Sequence, residues 1–220
     1  MRLDKYKIIF LDFDGVTVDS IPFWYDCPTL FLKELNIKPK DDVNSKIKIF
    51  TSLESASFLH TEYNLGTDAF ELRKQMLDFV LRNYKYCPIK NGIIEFLEFL
   101  KENNKKVYLL SHTALDHISS SIYYHKLENY FEYFDSCYEC ERNKSNGLIF
   151  KDVLEKNKID LKEAIVIDDS LSIVKNTNQL GIDVISIQDK FNMKDEEELK
   201  NNSLAYIKTT ELIKYLKSNE

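Results

Sequence analysis

The apolar residues of this chain follow two patterns along its length. Near the N-terminus, and repeatedly after residue 86, short apolar runs are typical of strands buried on both faces of a parallel sheet. Elsewhere, apolar residues recur every three or four positions, which predicts amphipathic helices. The predicted strands cover residues 8–11, 106–110, 134–138, 164–167, 183–187 and 205–207. The helices predicted in the same part of the chain cover residues 93–101, 115–125, 148–156, 171–180 and 209–217.

This alternation of strands and helices indicates the fold class. Strand, helix and strand repeat with short connections, which is typical of a parallel sheet wound by right-handed crossovers. We therefore predict an α/β fold with a Rossmann-like doubly wound parallel sheet.

Residues 20–85 interrupt the alternation and carry no strand pattern. Helices are predicted over residues 21–35, 52–63 and 68–84, with a polar turn at residues 38–42. We expect a small all-helical domain, inserted after the first strand, while residues 1–19 and 86–220 form the α/β core.

Polar side chains of a consistent kind follow three of the predicted strands where these strands end. They are Asp12 and Asp14, Ser111 and His112, and Asp168 and Asp169. Because the carboxyl ends of the strands line one crevice in a doubly wound sheet, we expect these side chains to meet there. Four carboxylates in a poorly solvated crevice repel one another, so the arrangement requires a bound cation. Oxygen ligands favour Mg²⁺ over zinc.

The stretch from Asp12 to Ser20, DFDGVTVDS, resembles the first motif, DxDGxxxDS, of the haloacid dehalogenase-like superfamily of aspartate-nucleophile phosphotransferases. The resemblance implies that Asp12 attacks phosphorus and forms an aspartyl-phosphate. It also implies that Asp14 acts as general acid for the leaving group and then as base for water, while its backbone carbonyl helps to bind the metal. A turn with helix-capping aspartates is the structural alternative for this pair.

Three further motifs follow in the order that this superfamily has. Ser111 matches the Ser or Thr that hydrogen-bonds the transferring phosphoryl group. Lys144 begins KSNGLIF, which aligns with KPDPxIF, and would neutralise the phosphate. Asp168 and Asp169 match the acidic pair that binds magnesium. Mg²⁺ and Lys144 would then offset the charge on the nucleophile and the phosphate, which is most of phosphoryl-transfer catalysis.

The match to these motifs has three departures. His112 stands where Asn is usual, the prolines after Lys144 are absent, and Asp168 replaces the usual Gly or Glu. His112 is a candidate contact for the phosphate or the substrate, and a supporting histidine at a helix start is the alternative. The alternatives elsewhere are a helix N-cap for Ser111 and for the Asp168–Asp169 pair, and a surface position for Lys144.

The helical insertion looks like the small cap of the phosphoglycolate phosphatase and β-phosphoglucomutase branch, so the resemblance extends over nearly the whole chain. It implies that residues 20–85 close over the phosphate and set specificity. The candidates for substrate contact are Phe23, Trp24, Lys46 and Lys48, of which we choose Trp24 and Lys48. Packing inside the cap is the alternative for the aromatic pair, and a solvated surface is the alternative for the lysines.

The resemblance therefore implies a magnesium-dependent phosphatase that hydrolyses a small phosphorylated metabolite. A phosphomutase of the β-phosphoglucomutase type would use the same four motifs and is the first alternative. A catalytically idle module that binds phosphate or protein on the same scaffold is the second. Dehalogenase chemistry fits less well, because the acidic pair suits phosphate chemistry.

Composition narrows the other possibilities. A net charge of −6 gives no general attraction to nucleic acid or to an anionic membrane. No apolar stretch approaches the roughly 18 residues that span a bilayer, and no signal peptide is evident, so we expect a cytoplasmic protein. No obligate protein partner is evident either. Cys137 and Cys140 have CxxC spacing, but the sequence supplies neither further zinc ligands nor a redox context, and we interpret both as reduced structural thiols.

Overall fold

The computed structural model describes residues 1–47, 51–138, 140–141 and 143–218. The chain forms two compact units. The first, which we call the core unit, contains Met1–Asp19 and Pro88–Glu220, and the second, the helical unit, contains Ser20–Cys87. The second boundary lies two residues later than the sequence pattern suggests, because a short 3₁₀ turn, Tyr84–Tyr86, extends the helical unit.

The core unit is built on a six-stranded sheet in which all neighbouring strands are parallel. The strands are β1 Ile8–Leu11, β2 Lys106–Ser111, β3 Tyr133–Ser136, β4 Ala164–Asp168, β5 Asp183–Ile187 and β6 Ala205–Ile207. Their order is β3-β2-β1-β4-β5-β6, so the chain winds to one side of β1 and then to the other. This arrangement confirms the predicted doubly wound α/β fold, with the reversal of strand order next to β1.

Helices make up the helical unit and connect the strands of the core unit. In the helical unit they are α1 Ile21–Glu34, α2 Val43–Ile47, α3 Ser52–Tyr63 and α4 Ala69–Asn83. In the core unit they are α5 Ile93–Glu102, α6 Leu115–Tyr124, α7 Leu148–Asn157, α8 Leu171–Gln179, α9 Glu196–Asn201 and α10 Leu212–Lys217. Within the described residues, no helix has both the length and the apolar composition that crossing a membrane requires.

Most helix ends agree with the sequence pattern, and the differences have local causes. Helix α4 begins one residue late because Asp68 is its N-cap, with Oδ1 accepting from the amides of Phe70 and Glu71. Helices α2 and α9 were not predicted, since five and six residues are too few to show a helical period. The last predicted helix starts instead as a 3₁₀ turn, Thr209–Glu211, before α10.

The core of the sheet is aromatic on the face that α7 covers. Phe10 in the central strand lies 5.0 Å from Phe150 in α7, measured between ring centroids. Both side chains are almost completely buried. Helix α7 is thereby fixed against β1, and the loop before α7 is held at the carboxyl end of the sheet.

Replacing Phe150 with alanine should lower the free energy of unfolding by roughly 3–5 kcal/mol, because the change leaves a cavity against Phe10. Leu148 on the same helix is 44% exposed, and Leu148→Ala should cost less than about 1 kcal/mol. Urea unfolding of the three proteins measures both values. Equal losses for the two variants would contradict the packing described here.

Candidate active site

Carboxylates from two adjacent strands converge at the carboxyl edge of the sheet. Asp12 directly follows β1, and its amide donates to the carbonyl of Ile167 in β4 over 3.0 Å. Asp168 is the last residue of β4, and Asp169 follows it. Asp12, Asp168 and Asp169 each offer a carboxylate oxygen, and these three oxygens all lie within 4.8 Å of one another.

Lys144 supplies the positive charge to this cluster. Its Nζ lies 2.5 Å from Asp12 Oδ1 and 2.8 Å from Asp168 Oδ2, and only 3% of the residue is exposed. The alternative of a surface lysine is therefore wrong. Gly147 sets the chain direction between Lys144 and α7 with a φ of +71°, and a Cβ there would lie 2.1 Å from Leu180 Cδ1.

Asp14 lies outside this carboxylate cluster and is held by β2. Its Oδ2 accepts hydrogen bonds from Ser111 Oγ at 3.0 Å and from Thr113 Oγ1 at 2.8 Å. The Thr113 amide in turn donates to Ser111 Oγ. Ser111 is not the N-cap of α6, a position that Ala114 occupies. The contact between the Asp14 backbone carbonyl and a metal ion stays a prediction.

Thr113 is a site residue that the sequence reasoning missed. The signal was present, because β2 ends at Ser111 and two further polar residues, His112 and Thr113, follow it directly. The motif match uses the first two of these and gave the third no role. Only the folded chain shows that the Thr113 hydroxyl contacts Asp14.

The turn that carries both aspartates is braced by its own residues. Gly15 adopts a φ of +74°, which favours glycine because other residues are strained there. The Thr17 hydroxyl donates to the carbonyl of Asp12 at 2.7 Å. The amides of Thr17 and Val18 both donate to the carbonyl of Phe13. Hydrogen bonds therefore hold both the amide and the carbonyl of Asp12.

The negative charges outnumber the compensating positive charge. Burial and then the neighbouring Asp168 carboxylate raise the pKa of Asp12 well above its usual value, although Lys144 opposes the rise. The same two causes raise the pKa of Asp169 to about 8. Burial disfavours the charged form of Lys144, but Asp12 and Asp168 outweigh burial and raise its pKa. One ammonium thus leaves three clustered carboxylates undercompensated.

A divalent cation fits this site if it offsets the excess of negative charge and if the ligand atoms suit it. The cluster offers only carboxylate oxygens, which are the ligands that Mg²⁺ prefers. A cation next to Asp12, Asp168 and Asp169 would offset the repulsion that, after burial, raises the pKa of Asp12 and of Asp169. The donor set therefore fits Mg²⁺, with Asp12, Asp168 and Asp169 as side-chain ligands.

His112 lies at the edge of the site. The residue is exposed, yet the protein atoms packed around its ring, and then the positive charge of Lys144, lower its pKa below the usual value. The ring is therefore neutral at pH 7 and offers one N–H donor. Asp168 and Asp14 also act on it electrostatically. A phosphate contact for His112 remains a prediction.

The predicted substrate residues of the helical unit have mixed placements. Trp24 belongs to an aromatic cluster of that unit, with ring centroids 5.6 Å from Phe23 and 5.2 Å from Tyr84. Lys46 pairs with Asp42 on the surface of the unit. Lys48 lies outside the described residues. Substrate contacts of Trp24 and Lys48 stay predictions.

The CxxC pair takes no part in the acidic cluster. Cys137 is buried and Cys140 is exposed, and no disulfide joins them. Burial raises the pKa of Cys137 to about 11, which keeps the thiol protonated at neutral pH.

Comparison with known proteins agrees with this geometry. The sequence profile of haloacid dehalogenase-like hydrolases matches residues 8–187. The chain belongs to this family. The motif resemblance is thereby confirmed, and the family match covers both the core unit and the helical unit. A comparison with curated proteins gave no match.

Solved structures of similar fold span nearly the whole chain. A Thermotoga maritima protein provisionally described as a β-phosphoglucomutase has a TM-score of 0.82 at 20% identity, over 96% of this chain and 98% of that one. A predicted phosphoglycolate phosphatase from Haemophilus somnus has a TM-score of 0.78 at 16% identity, over 96% and 98%. CbbY from Rhodobacter sphaeroides, in complex with xylulose-1,5-bisphosphate, has a TM-score of 0.70 at 14% identity, over 94% and 96%. At these identities the likeness establishes the fold.

Replacing Asp169 with asparagine should reveal the cost of burying its charge. Without metal, the pKa of Asp169 is about 8, against about 4 for an unfolded aspartate. The folded protein binds more protons between these values, so its free energy of unfolding falls as the pH rises. Relative to Asp169→Asn, wild type should lose roughly 2–4 kcal/mol between about pH 5 and about pH 8.

Urea unfolding in the presence of a chelator, at both pH values, measures this difference. Saturating magnesium should cancel the loss in wild type and leave Asp169→Asn nearly unchanged. A difference between the two proteins that is the same at both pH values would contradict the raised pKa.

Proposed function

We propose that this chain is a magnesium-dependent phosphatase that hydrolyses a small phosphorylated metabolite through an aspartyl-phosphate on Asp12. The observation that carries the proposal is the position of Lys144, buried between Asp12 and Asp168 at the carboxyl edge of the sheet. A buried lysine that joins a strand-end aspartate to an acidic metal cluster suits the binding of a phosphate dianion.

Asp12 is the group that we assign to attack. Lys144 contacts its Oδ1, so Oδ2 forms the bond to phosphorus while the bond from phosphorus to the ester oxygen breaks. The hydrogen bonds from Thr17 and to Ile167 hold the Asp12 backbone while this happens. The departing oxygen takes a proton from Asp14 in its acid form.

Asp14 then acts as a base. A water molecule attacks the phosphorus of the aspartyl-phosphate and gives a proton to Asp14, and cleavage of the acyl phosphate restores Asp12. The hydroxyls of Ser111 and Thr113 hold the Asp14 carboxylate at the β2 side of the site. This placement keeps the proton-transfer group apart from the metal cluster, where an added carboxylate would raise the repulsion.

The remaining site residues bind the phosphate and the metal ion. Lys144 neutralises the phosphate and neutral His112 offers a hydrogen bond to its oxygens, while Ser111 would donate to them by turning its hydroxyl away from Asp14. When bound by Asp12, Asp168 and Asp169, Mg²⁺ supplies a Lewis acid that offsets the negative charge of the nucleophile and the phosphoryl group. We further propose that the helical unit acts as a cap that selects the substrate, with Trp24 and Lys48 as candidate contacts.

Phosphomutase chemistry would use the same residues, and its products distinguish it. Incubation with hexose 1-phosphates, in the presence of magnesium and a trace of the bisphosphate, should release inorganic phosphate. Conversion into the 6-phosphate isomer without net phosphate release would instead establish the mutase.

Asp12→Asn should abolish the magnesium-dependent release of phosphate from p-nitrophenyl phosphate, with at least a roughly 10³-fold loss of kcat, because the amide is a poor nucleophile. Asp116→Asn, which removes an exposed carboxylate on α6, is the matched control and should keep wild-type turnover. Circular dichroism confirms that both variants fold.

A chelator should remove the activity of wild type, and magnesium should restore it. Activity that survives either the chelator or Asp12→Asn would overturn the mechanism. A folded wild type that releases no phosphate from any of a panel of phosphorylated metabolites would favour the idle binding module.

A further inference from the structure

A second lysine, largely shielded from solvent, lies beside the acidic cluster and takes no part in the proposed chemistry. Lys90 Nζ lies 2.7 Å from Asp189 Oδ2 and 2.7 Å from the carbonyl oxygen of Gly15. The side chains of Lys90 and Asp189 are 13% and 6% exposed. Gly15 is the turn residue directly after Asp14, so this ion pair is attached to the loop of the predicted nucleophile.

The backbone of Lys90 strengthens the same attachment. Its amide donates to the carbonyl of Thr17 at 3.0 Å. Thr17 in turn donates through its hydroxyl to the carbonyl of Asp12. Next to this contact, Val18 and Ile89 form an antiparallel bridge. Lys90 therefore holds the Asp12–Thr17 turn by both its main chain and its side chain.

The other partner, Asp189, belongs to the turn after β5. This turn is hydrogen-bonded to the backbone of Asp169, one of the three clustered carboxylates. The Asp189 amide donates to Asn192 Oδ1 at 3.0 Å. Asn192 Nδ2 donates to the carbonyls of Asp169 and Ile187, each at 2.9 Å. The Tyr206 hydroxyl donates to the same Asn192 oxygen at 2.9 Å.

We propose that Lys90, Asp189 and Asn192 form a brace of positioning residues, which sets the distance between the Asp12–Thr17 turn and the Asp169 backbone. An unbroken chain of contacts runs from Gly15 through Lys90, Asp189 and Asn192 to Asp169. The proposal rests on the proposed function, because it assigns the brace to the geometry of the same metal and nucleophile site.

The charges of Lys90 and Asp189 indicate that the brace positions the site residues and does not neutralise the carboxylate cluster. Lys90 acts to lower the pKa of Asp169 and Asp189 acts to raise it, so the pair adds little net charge to the cluster. An unpaired lysine at this point would compete with a cation for the carboxylates. A paired lysine instead supplies fixed hydrogen bonds, and residues that orient metal ligands in this way typically change metal affinity 10–100-fold when they are replaced.

The same strand offers a matched control pair. Asp183 opens β5 at the opposite edge of the sheet and pairs with Lys5, with exposed side-chain fractions of 23% and 46%. The test variant is Lys90→Met and the control variant is Lys5→Met. Each variant removes a lysine from an ion pair at one end of β5. Asp189→Asn provides a second test variant of nearly unchanged volume.

Hydrogen exchange followed by mass spectrometry, on the metal-free proteins, is the first measurement. Lys90→Met should speed exchange in peptides covering residues 12–18 at least fivefold, while peptides of β2 keep the wild-type rate. Titration calorimetry with magnesium alone should then show roughly tenfold weaker binding. With p-nitrophenyl phosphate, kcat should fall about tenfold while KM changes less than twofold. Lys5→Met should leave all of these values at wild-type levels.

Wild-type exchange at residues 12–18 together with magnesium affinity within twofold of wild type, in a folded Lys90→Met, would overturn the brace. If Lys90→Met does not fold, Asp189→Asn decides by the same two criteria. A wild type that binds magnesium but releases no phosphate would contradict the proposed function alone. The exchange rates and magnesium affinities would still decide the brace.

Discussion

The burial of one ammonium group between two carboxylates is the interaction on which the chemistry of the core unit depends. Removing Lys144, Asp12 and Asp168 from water is costly, and it is tolerated because each charge meets an opposite charge within 2.8 Å. Asp169 joins the cluster, and burial and the Asp168 carboxylate raise its pKa more than Lys144 and Lys90 lower it. This excess of negative charge is the physical basis of the proposed binding of a divalent cation and a phosphate.

The strand order explains how these charges meet. Because β1 lies between β2 and β4, the turn after β1 has neighbours on both sides. Asp12 faces the β4 side and shares Lys144 with Asp168, whereas Asp14 accepts hydrogen bonds from the β2 side. The sheet thus gives the two aspartates different partners, Lys144 for Asp12 and Ser111 for Asp14, although they are only two residues apart.

The brace connects this site to β5, the second strand on the β4 side of β1. The turn after β5 contacts the Asp169 backbone through Asn192, and it contacts the Asp12–Thr17 turn through Asp189 and Lys90. These contacts connect two loops that belong to different strands. The helical unit has its own aromatic interior, in which Phe23 packs against Phe79 and Tyr84. This packing favours a structural part for Phe23.

The sequence by itself determined the strands, most of the helices and the acidic ends of β1 and β4. These features depend on local periodicity and turn chemistry, which a single sequence carries. It missed α2 and α9, which are too short to show a period, and it gave no role to Thr113, Lys90, Asp189 or Asn192.

Only the tertiary structure decided that Lys144 is buried between Asp12 and Asp168, and that Lys90 meets Asp189. Lys144 and Asp12 are 132 residues apart, and Lys90 and Asp189 are 99 apart. A surface lysine and a buried one look alike in a polar stretch of sequence. Their difference arises when crossovers bring distant loops to one edge of the sheet, where burial makes each charge require a partner.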